Sequence, residues 1–146
     1  MQTQTPQSSA EIAYRGAEPD DMKFILSSWK NSWRTCPWAG TVRNDEFHAV
    51  TTSTIEGLIA RGAAFQVAVH TGTGRILGWI CHEVLSRGEA CVHYLYVKDF
   101  ALRFGIGERL VEQVPGSKPG YYTHRYRQVV EACPGWRHAA EIARRK

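Results

Sequence analysis

The sequence predicts an α+β fold: a central mixed, mostly antiparallel sheet flanked by helices, with a shortened C-terminal part. Two observations predict it. Apolar residues recur at helical spacing up to about residue 60 and then alternate in short runs separated by turns. The run at 90–97 is apolar or aromatic on both faces, as in a central strand, and it leads directly into a helical segment.

The predicted order is strand, two helices, three antiparallel strands, helix, strand and helix. Pro19 opens the first helix, with Asp20 and Asp21 in its first turn, where carboxylates suit the helix dipole. Asn44 is expected to cap the second helix, and Gly62 is expected to stop it. The predicted strands cover 12–15, 65–70, 75–84, 90–97 and 121–124. Later helices are predicted over 104–114, 125–132 and 137–146.

The length of 146 residues fits one domain, which we place at 11–146. Residues 1–10 are polar, with neither a basic start nor an apolar stretch, and they predict a disordered tail rather than a secretory signal. No apolar run approaches the roughly 20 residues that span a bilayer, so no membrane association is expected.

The four cysteines, Cys36, Cys81, Cys91 and Cys133, are scattered and form no Cys-x-x-Cys pair. This spacing argues against a zinc ribbon or a disulfide framework and predicts a reducing, cytoplasmic compartment. Cys81 and His93 are expected nearly opposite each other on adjacent strands. Two ligands do not make a zinc site, so we predict no metal.

The net charge is +4, and a C-terminal block from Lys118 to Lys146 carries seven basic residues against Glu131 and Glu141. Such a block suits an anionic partner, such as coenzyme A phosphates, nucleic acid or an acidic protein. A solvated basic tail is an equal alternative.

Gly105 and Gly107 stand at the start of the helix that follows the central strand. Glycine lets a ligand approach the backbone, and the unpaired first-turn N–H groups attract an anion such as a pyrophosphate. Close packing of the helix start is the alternative explanation. Leu110 excludes the dinucleotide pattern Gly-x-Gly-x-x-Gly.

With this context the chain resembles the GNAT (GCN5-related N-acetyltransferase) family. The match consists of Leu95-Tyr96-Val97 at the strand end, followed by 102–107 at the helix start. The resemblance spans most of the chain and is closest to small acetyltransferase-like proteins of Mu-like bacteriophages. The phage-like motifs are 25–29, 76–79, 93–98 and 123–124.

The resemblance implies that the protein binds acetyl-coenzyme A as acyl donor. The backbone of Leu95 and Val97 would bind the pantetheine arm and polarise the thioester carbonyl. The strands holding Val97 and Tyr121 would splay apart to admit the coenzyme. The implied pyrophosphate site consists of the backbone of Arg103, Phe104, Gly105, Ile106, Gly107 and Glu108.

The sequence departs from the family pattern in three places. Leu102 stands where the family has Arg or Gln, with Arg103 one step later. Glu131 falls where a tyrosine would protonate the leaving thiolate. The chain after Trp136 is short, which leaves open that a second subunit, as in a homodimer, completes the acceptor site.

His124 is the candidate general base, because an imidazole titrates near neutral pH, and Tyr122 and Tyr126 are candidate acids. In a strand, Tyr122 would share a face with His124. Each of the three residues has an ordinary packing role as its alternative. Trp38 could stack on a base, a ring or a peptide.

The sequence thus predicts an acyl-coenzyme A-dependent N-acyltransferase that acetylates an amine of a small molecule or protein. Two alternatives stay open: a phage-type DNA-modifying enzyme of the same fold, and a catalytically silent binding protein. The expected location is a bacterial or phage-infected host cytoplasm.

Overall fold

The structure is a computed structural model that describes residues 11–35 and 43–144. The predicted tail at 1–10 lies outside these residues. So do the predicted end of the first helix at Cys36-Pro37, Trp38, and Arg145 and Lys146 of the basic block. Among the described residues, none of the helices is long and apolar enough to cross a membrane.

Six strands form one sheet in the order β1-β2-β3-β4-β5-β6. The strands are Ile12–Gly16 (β1), Ala64–His70 (β2), Ile76–Val84 (β3), Glu89–Val97 (β4), Ser117–Tyr122 (β5) and Arg137–His138 (β6). The pairs from β1 to β4 are antiparallel, whereas β4–β5 and β5–β6 are parallel. The prediction of a mixed, mostly antiparallel sheet is therefore confirmed.

Helices cover both faces of the sheet. They are Met22–Trp33 (α1), Asn44–Ala60 (α2), Ile106–Glu112 (α3) and Arg127–Ala132 (α4). The helices α1 and α2 pack on one face through residues such as Trp29 and Leu58, and their core includes Trp79 and Tyr94 of the sheet. The helices α3 and α4 pack on the other face, where Leu95 belongs to their core.

The predicted boundaries shift mainly in the C-terminal half. A 3-10 helix, Asp99–Phe104, precedes α3, because Gly105 adopts a left-handed conformation that ends one helix and starts the next. The strand predicted at 121–124 lies instead at Ser117–Tyr122, so His124 is in a loop. The helix predicted at 137–146 is wrong: β6 and a 3-10 helix, Ala140–Arg144, take its place and form the short C-terminal part.

The start of α2 also differs from the prediction. Arg43 holds the N-cap position without a side-chain cap, and Asn44 is the first helical residue. The Asn44 side chain instead accepts a hydrogen bond from Arg34, at the end of α1. Gly62 ends α2 as predicted, with a positive φ of 92° just after the last turn.

Candidate active site

A cleft opens between β4 and α4 where the pairing of β4 with β5 ends. The last paired residues are Val92 and Tyr122, and Thr123 N–H still donates to the Val92 carbonyl over 3.1 Å. The cleft has a volume of about 160 Å³. Its lining residues are Leu95, Val97, Leu102, Gly107, Glu108, Gln128, Glu131 and Ala132.

Four of the residues expected to contact the coenzyme line this cleft: Leu95, Val97, Gly107 and Glu108. The other four predicted residues, Arg103, Phe104, Gly105 and Ile106, lie next to it in sequence but do not line it. The Ile106 side chain is fully buried, and the Arg103 guanidinium lies 4.8 Å from the centre of the Phe104 ring. The structure thus brings half of the predicted set together.

The two glycines of the helix start have different roles. Gly105 has a φ of 68°, which other residues rarely adopt, and it contributes no side-chain cap to α3. A Cβ at Gly107 would meet Leu95 Cδ2 at 3.3 Å and Ala132 Cβ at 3.6 Å. Gly107 therefore lets α3 approach β4 and α4 closely, as the packing alternative expects. Because it has no side chain, it also leaves space for a ligand along one wall of the cleft.

The side-chain amide of Gln128, in α4, forms hydrogen bonds with the backbone N–H and carbonyl of Val97 in the cleft. Val97 N–H donates to Gln128 Oε1 over 2.7 Å, and Gln128 Nε2 donates to the Val97 carbonyl over 3.0 Å. Both residues are buried. These backbone groups are the ones expected to bind the coenzyme arm, but a side-chain amide of the chain itself holds them. The bonded carboxamide also demonstrates that an amide group fits this place.

Two of the three departures from the family pattern, Leu102 and Glu131, face the same cleft. Leu102 and Glu131 line it, and both are exposed. Neither side chain carries the phenol hydroxyl that the family pattern uses as the acid. We therefore find no substitute for the expected tyrosine acid among the described residues that line the cleft.

A second opening, an apolar cavity of about 220 Å³, lies on the opposite face of β4. We call it the aromatic cavity. Its lining residues are Trp29, Trp33, Val50, Thr54, Leu58, His93, Tyr94, Thr123, His124, Ala140, Ala143 and Arg144. They come from α1, α2, β4, the loop after β5 and the C-terminal 3-10 helix. Trp29 and Trp33 also belong to the buried core on this face of the sheet.

A β-bulge in β4 places two consecutive side chains in this cavity. Cys81 pairs with Tyr94 and the next residue, His82, pairs with Val92, which leaves His93 as the extra residue. His93 and Tyr94 therefore both line the aromatic cavity, although neighbours in a regular strand face opposite sides. The prediction that His93 lies nearly opposite Cys81 misses by this one residue.

His124 lines the aromatic cavity, but its geometry differs from that of a base. Its Nδ1 accepts the Tyr126 backbone N–H over 3.1 Å. Burial, followed by the nearby His138, lowers the pKa of His124 to about 4. The ring is therefore neutral at pH 7 with its proton on Nε2, which favours a hydrogen-bond donor over the expected proton acceptor.

The structure separates Tyr122 from His124, whereas Tyr126 lies beside His124, to which its backbone N–H donates. Tyr122 packs on the core between the sheet and α3 and α4, while the His124 ring contacts Trp33 and Tyr94 on the other side. Tyr126 precedes α4 and stacks on Tyr94 at 5.0 Å. The predicted face shared by Tyr122 and His124 is wrong because β5 ends at Tyr122.

A partly buried chain of polar groups leads from the residue after α2 to the aromatic cavity. The Arg61 guanidinium pairs with the Glu83 carboxylate, and Glu83 Oε1 bonds to His93 Nε2 over 2.5 Å. His93 Nδ1 in turn lies 3.0 Å from Thr123 Oγ1. Sequence reasoning missed this chain because its members lie far apart in the sequence and converge only through the sheet.

The protonation states within this chain follow from its partners. The hydrogen bond from His93, supported by Arg61, lowers the pKa of Glu83, so the carboxylate is ionised. Burial lowers the pKa of His93, although Glu83 opposes this effect. A neutral His93 then donates its Nε2 proton to Glu83, and its Nδ1 accepts the Thr123 hydroxyl proton. The contact of Thr123 Oγ1 with the His93 carbonyl is longer, at 3.5 Å.

The same region holds the only group of potential metal ligands found among the described residues. Ligand atoms of Glu83, Cys91 and His93 lie within 4.8 Å of one another. The Arg61 guanidinium already neutralises Glu83 and lies 3.3 Å from His93 Nε2. A second cation at this place would be repelled by Arg61, so the geometry favours an ion pair over a metal centre.

Comparison with known proteins places the fold. No family model matches the sequence, and no curated protein matches it. A solved structure from Pyrococcus furiosus, provisionally named an acetyl transferase, is similar with a TM-score of 0.57 and 21% identity, over 70% of this chain and 71% of that one. A possible acetyltransferase from Clostridium difficile 630 is similar with a TM-score of 0.51 and 16% identity, over 88% of this chain and 78% of that one. The chain therefore has the fold of acetyltransferases, as its resemblance to the GNAT family predicts.

Proposed function

We propose that the protein is an acyl-coenzyme A-dependent N-acetyltransferase that acetylates an amine. The observation that carries this proposal is the cleft at the end of the β4–β5 ladder, in which an amide pairs with the backbone of Val97. The pantetheine arm of coenzyme A contains amide groups, which can use the same donor and acceptor once Gln128 moves away. The acetyltransferase fold supports the same assignment.

The two faces of β4 would have different roles, one in binding the coenzyme and the other in binding the acceptor. The backbone of Val97 would align the coenzyme arm, and the start of α3 at Gly105 and Gly107 would receive its phosphates. Bound acetyl-coenzyme A supplies an activated acetyl group as a thioester. The aromatic cavity, on the other side of Tyr94, would receive the acceptor amine, so β4 would hold donor and acceptor in register.

A titration of the purified protein with acetyl-coenzyme A by isothermal calorimetry tests the proposal. We expect saturable binding, and a rise in melting temperature, because a ligand that binds only the native state stabilises it. Desulfo-coenzyme A, which lacks the thiol, should bind similarly, while inorganic pyrophosphate alone should bind much more weakly. Absence of binding at millimolar acetyl-coenzyme A would refute the proposed function.

A coenzyme-binding protein without turnover is the second candidate. The Gln128 side chain already binds the Val97 backbone groups that the coenzyme would use, and Glu131 replaces the acid that the family pattern expects. Coenzyme binding without acetyl transfer to any of a broad panel of amines would favour this candidate. A nucleic-acid acceptor and a relation to phage proteins rest on the motifs and on exposed basic residues such as Arg125 and Arg137, and they remain proposals.

A further inference from the structure

The charge of the aromatic cavity restricts what it can bind. Arg144 is the single lysine, arginine or carboxylate side chain among the described residues that line it. The two histidines, His93 and His124, have lowered pKa values and are neutral at pH 7. A cationic amine would find no counter-charge on these walls, since burying an unpaired charge is costly. The cavity therefore suits an amine that is uncharged when it binds.

The shape and surface of the cavity favour an aromatic ring. The Trp33 ring lies 6.2 Å from Trp29 and 5.0 Å from His124, so flat surfaces meet at the cavity. The indole N–H of Trp29 is buried without a hydrogen-bond partner among the described residues. A cavity of about 150 Å³ holds benzene in other proteins. The volume of about 220 Å³ therefore accommodates a ring with a short substituent.

A proton acceptor stands at the same cavity. Thr123 and His93 both line it, and the Thr123 hydroxyl donates to His93 Nδ1. Glu83 fixes the ring orientation through Nε2 and would stabilise the imidazolium that forms when Nδ1 gains a proton. Thr123 can thus accept a proton from a bound amine while passing its own to His93.

We propose that the aromatic cavity binds the acetyl acceptor as a small arylamine, and that Thr123 relays the proton of this amine to His93. This inference rests on the proposed acetyltransferase function. The amine nitrogen forms a bond to the thioester carbonyl carbon, and the carbon–sulfur bond breaks with its electron pair on sulfur. The amine proton goes to Thr123 Oγ1 and the Thr123 proton goes to His93 Nδ1. A water molecule protonates the coenzyme thiolate, and the His93 imidazolium returns its proton to the hydroxide that remains.

Two isomeric amines test the class of acceptor. The probes are 4-ethylaniline, which is neutral at pH 7, and phenethylamine, which is a cation at the same pH. We expect 4-ethylaniline to quench tryptophan fluorescence through Trp29 and Trp33, and to bind at least about tenfold more tightly than phenethylamine. Equal binding of both, tighter binding of phenethylamine, or binding of neither overturns the acceptor class.

A matched pair of substitutions on α2 tests the location. Thr54→Phe places a ring in the cavity and should abolish 4-ethylaniline binding. Ser53→Phe adds the same ring at the adjacent exposed position, which does not line the cavity, and should leave binding unchanged. If Thr54→Phe binds 4-ethylaniline like the wild type, the amine lies elsewhere and the proposal fails.

The relay is tested by two substitutions of Thr123. Thr123→Val keeps the shape but removes the hydroxyl, so kcat for 4-ethylaniline should fall by about 10²–10⁴-fold while KM changes little. Thr123→Ser keeps the hydroxyl and should retain most of kcat. A wild-type kcat in Thr123→Val, or an equal loss in Thr123→Ser, overturns the relay, as does the absence of turnover in the wild type when both ligands bind. Acetyl-coenzyme A binding, measured in parallel, separates these outcomes from failure of the proposed function.

Discussion

The cleft and the aromatic cavity lie against opposite faces of the same stretch of β4, yet they are built differently. The cleft is formed largely by main chain: the Val97 peptide groups, the close approach at Gly107, and the start of α3. The cavity is formed by side chains from five separate parts of the chain. The proposed coenzyme site therefore depends on backbone geometry, whereas the proposed acceptor site depends on residue identity. If so, each site can be altered without the other.

Gly107→Glu is expected to produce the largest difference between the effects on the cleft and on the aromatic cavity. The substitution adds bulk beside Leu95 and a negative charge in the cleft, so acetyl-coenzyme A binding should weaken by about 100-fold, or about 2.8 kcal/mol. Calorimetry measures this loss. Binding of 4-ethylaniline to the aromatic cavity, measured by fluorescence, should not change.

Gln113→Glu is the matched control for this experiment. It adds the same charge just after the C-terminal end of α3, at an exposed position outside the lining of the cleft. We expect wild-type coenzyme binding. A folded Gly107→Glu variant that binds the coenzyme as tightly as the control would place the phosphates elsewhere.

A smaller effect is expected on the folding stability of the protein at low pH, through His124 at the aromatic cavity. His124 has a pKa of about 4 in the folded protein against 6.5 for the free side chain, so the unfolded chain binds more protons between these values. Its contribution to stability is therefore fully present above pH 6.5 and lost as the pH falls toward 4. The difference corresponds to about 3 kcal/mol, of which we expect about 2 kcal/mol because the ring is partly exposed.

Urea unfolding of the wild type and of His124→Gln at pH 7 and pH 4.5 measures this contribution. The wild type should lose more stability between the two pH values than the variant, whose side chain does not titrate. His82 and His93 also have lowered pKa values and should leave a residual loss in both proteins. Identical losses would show that His124 is as well solvated in the folded chain as in the unfolded one.

The smallest expected effect is on the cleft. Gln128→Ala frees the Val97 N–H and carbonyl from competition, so acetyl-coenzyme A should bind about fivefold more tightly, which is about 1 kcal/mol. Val130→Ala, which shortens an exposed side chain on the same helix, should bind like the wild type. Weaker binding by Gln128→Ala would mean that the carboxamide holds the cleft in shape for the coenzyme rather than competing with it.

The difference between a cleft built from main chain and a cavity built from distant side chains explains what the sequence could and could not predict. The central strand, the turn at Gly105 and the residues Leu95 and Val97 follow one another in the chain, so local patterns place them correctly. The link from Glu83 to His93 and Thr123 depends on strand register and on one extra residue in β4, neither of which has a local signal. The sequence predicts a strand through His124, but β5 separates from β4 after Tyr122, and local propensity carries no signal for that separation.

The bulge at His93 also determines what the deletion of a single residue would do to this strand. In a regular strand, deletion of one residue exchanges the two faces of everything that follows. Deletion of His93 would instead leave Val92 opposite His82 and Tyr94 opposite Cys81, with Leu95 and Val97 still facing the cleft. One lost codon would therefore remove the proposed proton acceptor and preserve the strand pairing, so an active and a silent form of this fold would differ by one deletion.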